Sequence, residues 1–397
     1  MLAAVLVIGL MSGTSADAVD AALVEWPDGA EPRPFRLLAA REDGLDGQLQ
    51  ARIHALAAGE LEGPHVLAEL AALDRLLADC FADAAEAVAR DAGVALAEID
   101  GVASHGQTVA HHPEHGASLQ IGCPSRIAER TGVPVVADFR SRDLAAGGQG
   151  APLAPFFHFA AFVQPGEARA VLNLGGIANL TWLPPDGDPD AVVAFDTGPA
   201  NSLIDGVLYA ATDGAERFDR NGSRAARGRV DPALLEQLLD DAYLAAAPPK
   251  STGRERYGRA EAEALLASWG KRGLDPLVAT LTEFTIESIA RACREHLPAL
   301  PERLLVGGGG ARNPVLVKGL SRALSDCAVE PFDAHGVPAD AAEAMAFSLL
   351  GRNALLGIPN HLPHTTGASR AAVLGVIVPA ARGRLLTGSA DVEGSTS

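Results

Sequence analysis

The chain has 397 residues, 48% of them apolar, which is enough for two domains with substantial cores. Its 32 basic and 50 acidic side chains give a net charge of −18, which speaks against a nucleic-acid partner and for a protein that handles small molecules. Cys80, Cys123, Cys293 and Cys327 form no CxxC pair, so neither a disulfide framework nor a zinc site is expected, and a reducing cytoplasm fits.

Met1 to Met11 is apolar and small, but the first basic residue is Arg33, so Leu2 to Leu10 reads as a buried strand rather than a signal peptide. No stretch reaches the ~20 apolar residues of a membrane span. Ser12 to Ala18 is turn-forming and Val19 to Trp26 is a second strand, which makes a hairpin with a wide loop. In that loop Gly13 lets backbone amides approach an anion, and Ser12, Thr14 and Ser15 offer hydroxyls. Asp17 and Asp20 can hold a hydrated divalent cation that bridges phosphates. Amides and a cation bind phosphate without Lys or Arg, which suits so acidic a chain. The plainer reading is a polar turn that binds nothing. No GxxxxGK[ST] loop is present.

A polar stretch follows, then a helix over Val66 to Asp91 and a short strand over Ile99 to Ser104 that opens into Ser104-His105-Gly106-Gln107-Thr108. Val133 to Phe139 reads as a strand running into Arg140-Ser141-Arg142-Asp143 and a loose Gly147-Gly148-Gln149-Gly150, a candidate domain boundary. The polar set around His105, with Asp138 and Arg140, mixes donors, acceptors and a cation. It suits a polyhydroxy ligand whose carboxylate pairs with Arg140, although His105 is as readily structural. His111, His112 and His115 lie in a Pro-Glu loop, and a metal site there is the weaker reading.

Beyond the glycines the pattern restarts. Ala168 to Leu174 is a strand, Gly175-Gly176 a turn and Ile177 to Leu183 a strand, which repeats the N-terminal scheme and suggests a duplicated architecture. Ala191 to Phe195 is a strand closing on Asp196-Thr197-Gly198-Pro199, where Asp196 is a general base, a metal ligand or a helix N-cap. Helices are expected over Ala200 to Ala211, Pro232 to Leu244 and Pro276 to His296. The basic loop Pro249 to Glu255 either closes over phosphates or is a solvated turn. A strand over Arg303 to Val306 runs through Gly307, Gly308, Gly309 and Gly310 to a helix over Pro314 to Leu324, giving a flat surface for a purine and ribose. A dinucleotide site is the rival, but Asn313 and Pro314 spoil the G-x-G-x-x-G spacing. A last helix covers Ala339 to Leu356. Strands alternating with helices define an α/β class.

Nine segments in order then carry a resemblance, from Gly9 to about Pro379: GLMSGTSADAVDAAL, SHGQTV, VVADFRSRDLAAGGQGAPLAPFFH, NLGGIANLT, FDTGPAN, PPKSTGRE, LLVGGGGARNP, EAMAF and LPHTTGAS. The chain resembles the anhydro-N-acetylmuramic acid kinase family. The resemblance implies two actin-like (ribonuclease H-like) α/β domains around a nucleotide and sugar cleft. The first would take residues 1–145 plus about 363–385, the second 146–362, with 386–397 a disordered tail. It also implies ATP and Mg²⁺ as cofactors, a cytoplasmic homodimer, and no nucleic-acid or membrane partner. The activity implied is hydrolytic opening of 1,6-anhydro-N-acetylmuramic acid with phosphorylation of its 6-oxygen.

Carried onto this sequence, Gly13, Thr14, Ser15, Ala16, Asp17, Ala18, Val19 and Asp20 would bind ATP phosphates, with Gly175, Gly176 and Asn179 as the second turn. Gly307, Gly308, Gly309, Gly310 and Asn313 would meet the adenosine. His105, Gln107, Thr108, Arg140 and Glu343 would line the sugar. Asp196 would be the general base, and Asp17 and Asp196 would hold Mg²⁺, the latter through water. The leaving oxygen is captured by phosphorus, so one carboxylate suffices where glycoside cleavage usually takes two, and Glu343 is the candidate for a supporting one. Ala18 and Ala200 depart from the family pattern, which has glycine at both places. Two rivals stand beside this reading: a kinase of a plain amino sugar on the same scaffold, and a catalytically silent nucleotide sensor.

Overall fold

The structure is a computed structural model and describes residues 4–380. The expected tail over 386–397 lies outside the described residues.

Two units divide the chain. One takes the described residues up to Ala161 and from Asp340 on; the other is Phe162–Ala339. The break therefore falls at 161/162 rather than at Gly147–Gly150, and 340–362 belongs to the first unit, not the second.

The first unit is built on a six-stranded sheet. Its strands are β1 (Ala4–Met11), β2 (Ala18–Pro27), β3 (Arg36–Gly44) and β4 (Gly101–Ser104). A separate hairpin, β5 (Gln107–His112) with β6 (Ala117–Ile121), precedes β7 (Val135–Ala137). In the second unit follow β8 (Arg169–Leu174), β9 (Ile177–Leu183), β10 (Val193–Pro199), β11 (Arg303–Gly307) and β12 (Ala328–Pro331). The last strand, β13 (Val376–Val378), returns to the first sheet. The first sheet runs β13-β7-β4-β1-β2-β3 and the second β10-β9-β8-β11-β12. In each, the first three strands form an antiparallel meander, and the fourth and fifth add parallel beside the first. The repeated hairpin expected from the sequence is thus one part of a repeated sheet.

β1 is an unbroken run of apolar and small residues because both its faces are covered. One face meets the helix His65–Ala92, whose Leu73, Leu77, Phe81 and Val88 pack with Ile8 and Leu10 in one core. A fully buried ring such as Phe81 contributes about 2 to 3 kcal/mol by burial. Against the other face lies the helix Ala342–Leu356, nearly all of it buried. The contact is close enough to demand glycine. A Cβ on Gly9 would fall 1.8 Å from the carbonyl oxygen of Ala344, and one on Gly351 would fall 2.3 Å from Cβ of Ala103. Gly9→Ala should therefore force helix and sheet apart, at a cost of roughly 3 kcal/mol or more. A urea-unfolding midpoint equal to that of the parent would overturn this packing argument.

Several elements differ from expectation. The strand expected over Val133 to Phe139 is only β7, because Asp138 turns left-handed (φ 54°) and its side chain caps the helix Phe139–Ala145 at the Ser141 amide. The helix expected over Pro232 to Leu244 is two, Pro232–Leu239 and Ala242–Ala245, because Asp241 caps a new start. The polar stretch after Trp26 contains β3, an edge strand whose charges guard the sheet margin. Among the described residues no helix is long and apolar enough to cross a membrane.

Candidate functional site

The first turn, Ser12 to Asp17, joins β1 to β2. Its base is fixed from inside. Ser12 is buried, and its Oγ lies 2.7 Å from Gln107 Oε1 and 2.9 Å from the Ala18 carbonyl. Gln107 Nε2 donates to the Gly13 carbonyl at 3.1 Å. The Gln107 amide is therefore spent on shaping the turn. Thr108, also expected on the sugar side, accepts from Gln120 Nε2 at 3.1 Å. Gln50 Nε2 and His54 Nε2 donate to the Ser15 carbonyl, and Ser15 Oγ donates to Asp17 at 2.6 Å. Ala16 is left-handed at φ 48° and closes the turn onto Gly13 O. Gly13 itself is required by nothing nearby: a Cβ there would meet only Ser15 Oγ, at 3.9 Å. Space beside a turn glycine is what an approaching phosphate needs.

Sheet register puts Asp20 opposite Met11 on one side and Glu42 on the other. Burial, followed by the charges of Glu42, Glu343, Asp17 and Asp340, raises the Asp20 carboxyl to about 7. Asp20 is half-buried, whereas Asp17 is exposed and paired to Ser15. Among the described residues no three His, Cys, Asp or Glu side chains form a ready cation site, and that includes His111, His112 and His115.

Of the residues expected to line a sugar, His105 and Arg140 come together. His105 is buried; its Nδ1 donates to the Gly106 carbonyl at 2.9 Å, so Nε2 is free to accept from Arg140 Nη2 at 2.9 Å and Nε at 3.2 Å. Burial and the Arg140 charge hold the imidazole neutral, with its pKa down to about 3. His105 orients the arginine and is a neutral imidazole, not an acid, near pH 7. Arg140 Nη1 donates to the Gly150 carbonyl at 2.7 Å. Burial lowers the Arg140 pKa to about 10, against the opposing pull of Glu343 and Asp143, so it stays a cation. Phe347, one turn beyond Glu343, packs its ring on His105 at 4.7 Å and on Phe139 at 5.5 Å. Glu343 is open to solvent yet walled by protein, which raises its pKa while Arg140 lowers it.

In the second unit, Asp196 lies in the middle of β10, at a bulge before Gly198. Register sets Asn179 of β9 across from it, and Asn179 Nδ2 donates to Asp196 Oδ1 at 2.8 Å. The Thr252 amide donates to Oδ2 at 3.0 Å. Asp196 is no helix cap, since the following helix, Ser202–Ala211, starts from Asn201. Burial raises its pKa, and the bonds from Asn179 and Thr252 pull it back. The result is an oriented carboxylate with a lone pair left on each oxygen. The loop Pro249 to Glu255 is neither free nor merely solvated. Asp196 N donates to Lys250 O, and Lys250 Nζ donates to the Tyr243 and Leu244 carbonyls and lies 5.0 Å from the Tyr243 ring.

Asn179 was expected on a phosphate; its amide is on Asp196 instead. Asn313 was expected on adenosine, but its Oδ1 caps the helix Pro314–Ala323 through Val315 N and Leu316 N. The four glycines divide. A Cβ on Gly307, Gly308 or Gly310 would overlap Phe332, Asn173 or Leu174, so these three serve packing, whereas Gly309 is exposed with open space. Gly175 and Gly176 resemble Gly13, with no neighbour closer than 3.7 Å to a Cβ. Their carbonyls accept from the amides of Ala200, Asn201 and Ser202, which ties the turn to a helix start. The Ala200 methyl joins the apolar core of this unit. Sequence reasoning missed Asp205 in that helix, whose carboxyl is raised to about 7 by burial and Asp219, against Arg254.

Two sheets of one order, each closing its first two strands over a turn with unfilled space at a glycine, define an α/β protein of the actin-like, ribonuclease H-like class. Residues 5–380 match the sequence family described as anhydro-N-acetylmuramic acid kinase. The chain is 45% identical over 379 residues to the anhydro-N-acetylmuramic acid kinase of Gloeobacter violaceus, covering 94% of this chain and 99% of that protein. It is 46% identical over 379 residues to that of Xanthomonas campestris pv. campestris, covering 94% and 97%. Among solved structures, component A of the Acidaminococcus fermentans (R)-2-hydroxyglutaryl-CoA dehydratase is 12% identical, with a TM-score of 0.44 over 88% of this chain and 98% of that one. The chain belongs to the anhydro-N-acetylmuramic acid kinase family.

Proposed function

We propose that this chain is an ATP-dependent kinase of cell-wall recycling that opens 1,6-anhydro-N-acetylmuramic acid with water and phosphorylates the freed 6-oxygen. The products are N-acetylmuramic acid 6-phosphate and ADP. The observation that carries the reading is the held, half-buried carboxylate of Asp196 at the bulge in β10, in a chain of this family.

Asp196 takes a proton from water, whose oxygen bonds to the anomeric carbon. The bond from that carbon to the 6-oxygen breaks, and its electron pair stays on the oxygen. That oxygen bonds to the γ-phosphorus as the bond to the bridging oxygen of ADP breaks, so no separate acid is required. Gly13 with its turn amides, and Gly175 with Gly176, meet the phosphates; Gly309 offers open backbone to the nucleoside. Arg140, held by His105, meets the carboxylate of the sugar. Mg²⁺ supplies charge neutralisation on the phosphates when bound. Asp20 is the residue whose crowded carboxylate fits it, and such ions keep several waters and use one or two carboxylates. The reading includes a cytoplasmic location, which four free thiols suit, and a homodimer.

The test is incubation with ATP, Mg²⁺ and the anhydro sugar in ¹⁸O-labelled water, followed by mass analysis. One label at the anomeric hydroxyl of a phosphorylated product is expected. A phosphorylated product without label, or phosphorylation of a plain amino sugar in preference to the anhydro sugar, overturns the proposal.

A further inference from the structure

The motifs SRDLAAGGQGAP and LPHTTGAS have no part in the chemistry above, yet the fold makes them one structure. Asp143, from the first, is fully buried. Thr366, from the second, lies 223 residues on and donates its hydroxyl to Asp143 Oδ1 at 2.6 Å. His361 Nδ1 reaches the same oxygen at 2.9 Å, off the hydrogen-bond line. The His361 ring is itself fixed, because Nε2 accepts from the Ala372 amide at 3.0 Å, which leaves the ring proton on Nδ1 facing the carboxylate. The other oxygen, Oδ2, accepts from the Gly150 amide at 2.7 Å.

Gly150 is the link to the sugar side. Its amide goes to Asp143 and its carbonyl takes Arg140 Nη1, so this one residue, through the peptide groups on either side of its Cα, joins the buried carboxylate to the guanidinium. The loop is wrapped tightly on that carboxylate. A Cβ on Gly148 would fall 2.2 Å from Asp143 Oδ2, and Gly150 is left-handed at φ 74°. The Gln149 amide also donates to the Thr366 carbonyl, and Ser369 holds the Ala146 carbonyl, so the second motif clamps the first along its length. Burial pushes the Asp143 pKa up, but the close His361 ring and the bonds from Thr366 and Gly150 outweigh it and keep the group a carboxylate. With His105 on one edge of the guanidinium and Gly150 at Nη1, one N–H remains on each terminal nitrogen. That pair is the fork that matches a carboxylate.

We propose that Asp143 is a positioning residue for substrate binding: fixed by Thr366 and His361, it holds the Gly150 peptide so that Arg140 presents its open fork to the carboxylate of the sugar. This rests on the reading that Arg140 meets that carboxylate. The test is steady-state kinetics on the full chain for Asp143→Asn, Thr366→Val, Thr366→Ser and Arg140→Ala. Asp143→Asn and Thr366→Val are expected to raise KM for the anhydro sugar about tenfold, the effect of one lost charge-assisted bond, with kcat and the KM for ATP within about twofold. Thr366→Ser keeps the hydroxyl and should restore the parent KM. Asp143→Asn combined with Arg140→Ala should raise the sugar KM no further than Arg140→Ala alone. Unchanged sugar KM in the Asp143 and Thr366 variants, additive effects, or equal losses for both substrates overturn the proposal. If Arg140→Ala is itself silent, the sugar reading of Arg140 falls and takes the proposal with it. If Asp143→Asn does not fold, the Thr366 pair carries the test.

Discussion

Asp196→Asn should lower turnover by about a thousandfold, the range lost when a general base is removed, while nucleotide affinity stays within about threefold. The two effects separate because the carboxylate is held by Asn179 and Thr252, whereas the glycine turns lie elsewhere in the sequence. The asparagine is nearly isosteric, but it has one acceptor oxygen for two donors. One donor is left unpaired, so a modest fall in Tm, of about 1 to 3 kcal/mol in stability, accompanies the loss of turnover. In the parent enzyme, burial moves the acid limb of kcat/KM for the sugar upward from an ordinary aspartate's, against the bonds from Asn179 and Thr252. Near-parental turnover by Asp196→Asn, measured by coupled ADP release, would remove Asp196 from the role of base.

Asp20→Asn should act in opposite directions on catalysis and stability. Apparent Mg²⁺ affinity in the presence of ATP is expected to fall on the order of tenfold to a hundredfold. Stability of the ligand-free protein should rise at alkaline pH. The folded-state pKa of about 7 lies above the ordinary value of 3.8, so between those limits the folded chain binds a proton that the unfolded chain does not. Stability contributed by this group is therefore present at low pH and lost as pH rises toward 7 and past it. Above pH 7 the parent carries an ionised Asp20 across from Glu42, and the asparagine does not. The Tm of the variant should exceed the parent's at pH 8 and match it near pH 4. A Tm difference independent of pH, or unchanged Mg²⁺ dependence, would contradict the assignment.

Much of this was legible in the residues, and what was not has identifiable causes. Small and turn-forming residues between two apolar runs marked both glycine turns, because a hairpin must bend there whatever its neighbours. The carboxylate of Asp196 in β10 was visible for the same reason. Asn179, by contrast, is assigned to Asp196 by cross-strand register, which no local pattern reports. Gln107 opens β5 only two residues after β4 ends, and its amide bonds Ser12 and Gly13, long-range partners that no local pattern reports. Asn313 carried a readable signal, an Asn before a Pro at the first helical position, that the neighbouring glycines obscured. Asp143 looked like one charge among several, since Thr366 and His361, which face it, lie more than two hundred residues away. Asp205 sits inside a helix, and its raised pKa comes from burial that the sequence does not display.

The first unit is discontinuous, and this bears on how the chain is made. β1 and β2 emerge early, but the helix Ala342–Leu356 that covers one face of their sheet is translated more than three hundred residues later. At ordinary ribosomal speeds that interval is about 15 to 60 seconds. The second unit is a single run of chain and completes first, while an apolar sheet face built around Gly9 stays bare. A nascent chain stalled before residue 340 should therefore be the species that chaperones hold, and release of the finished C-terminus the event that frees it.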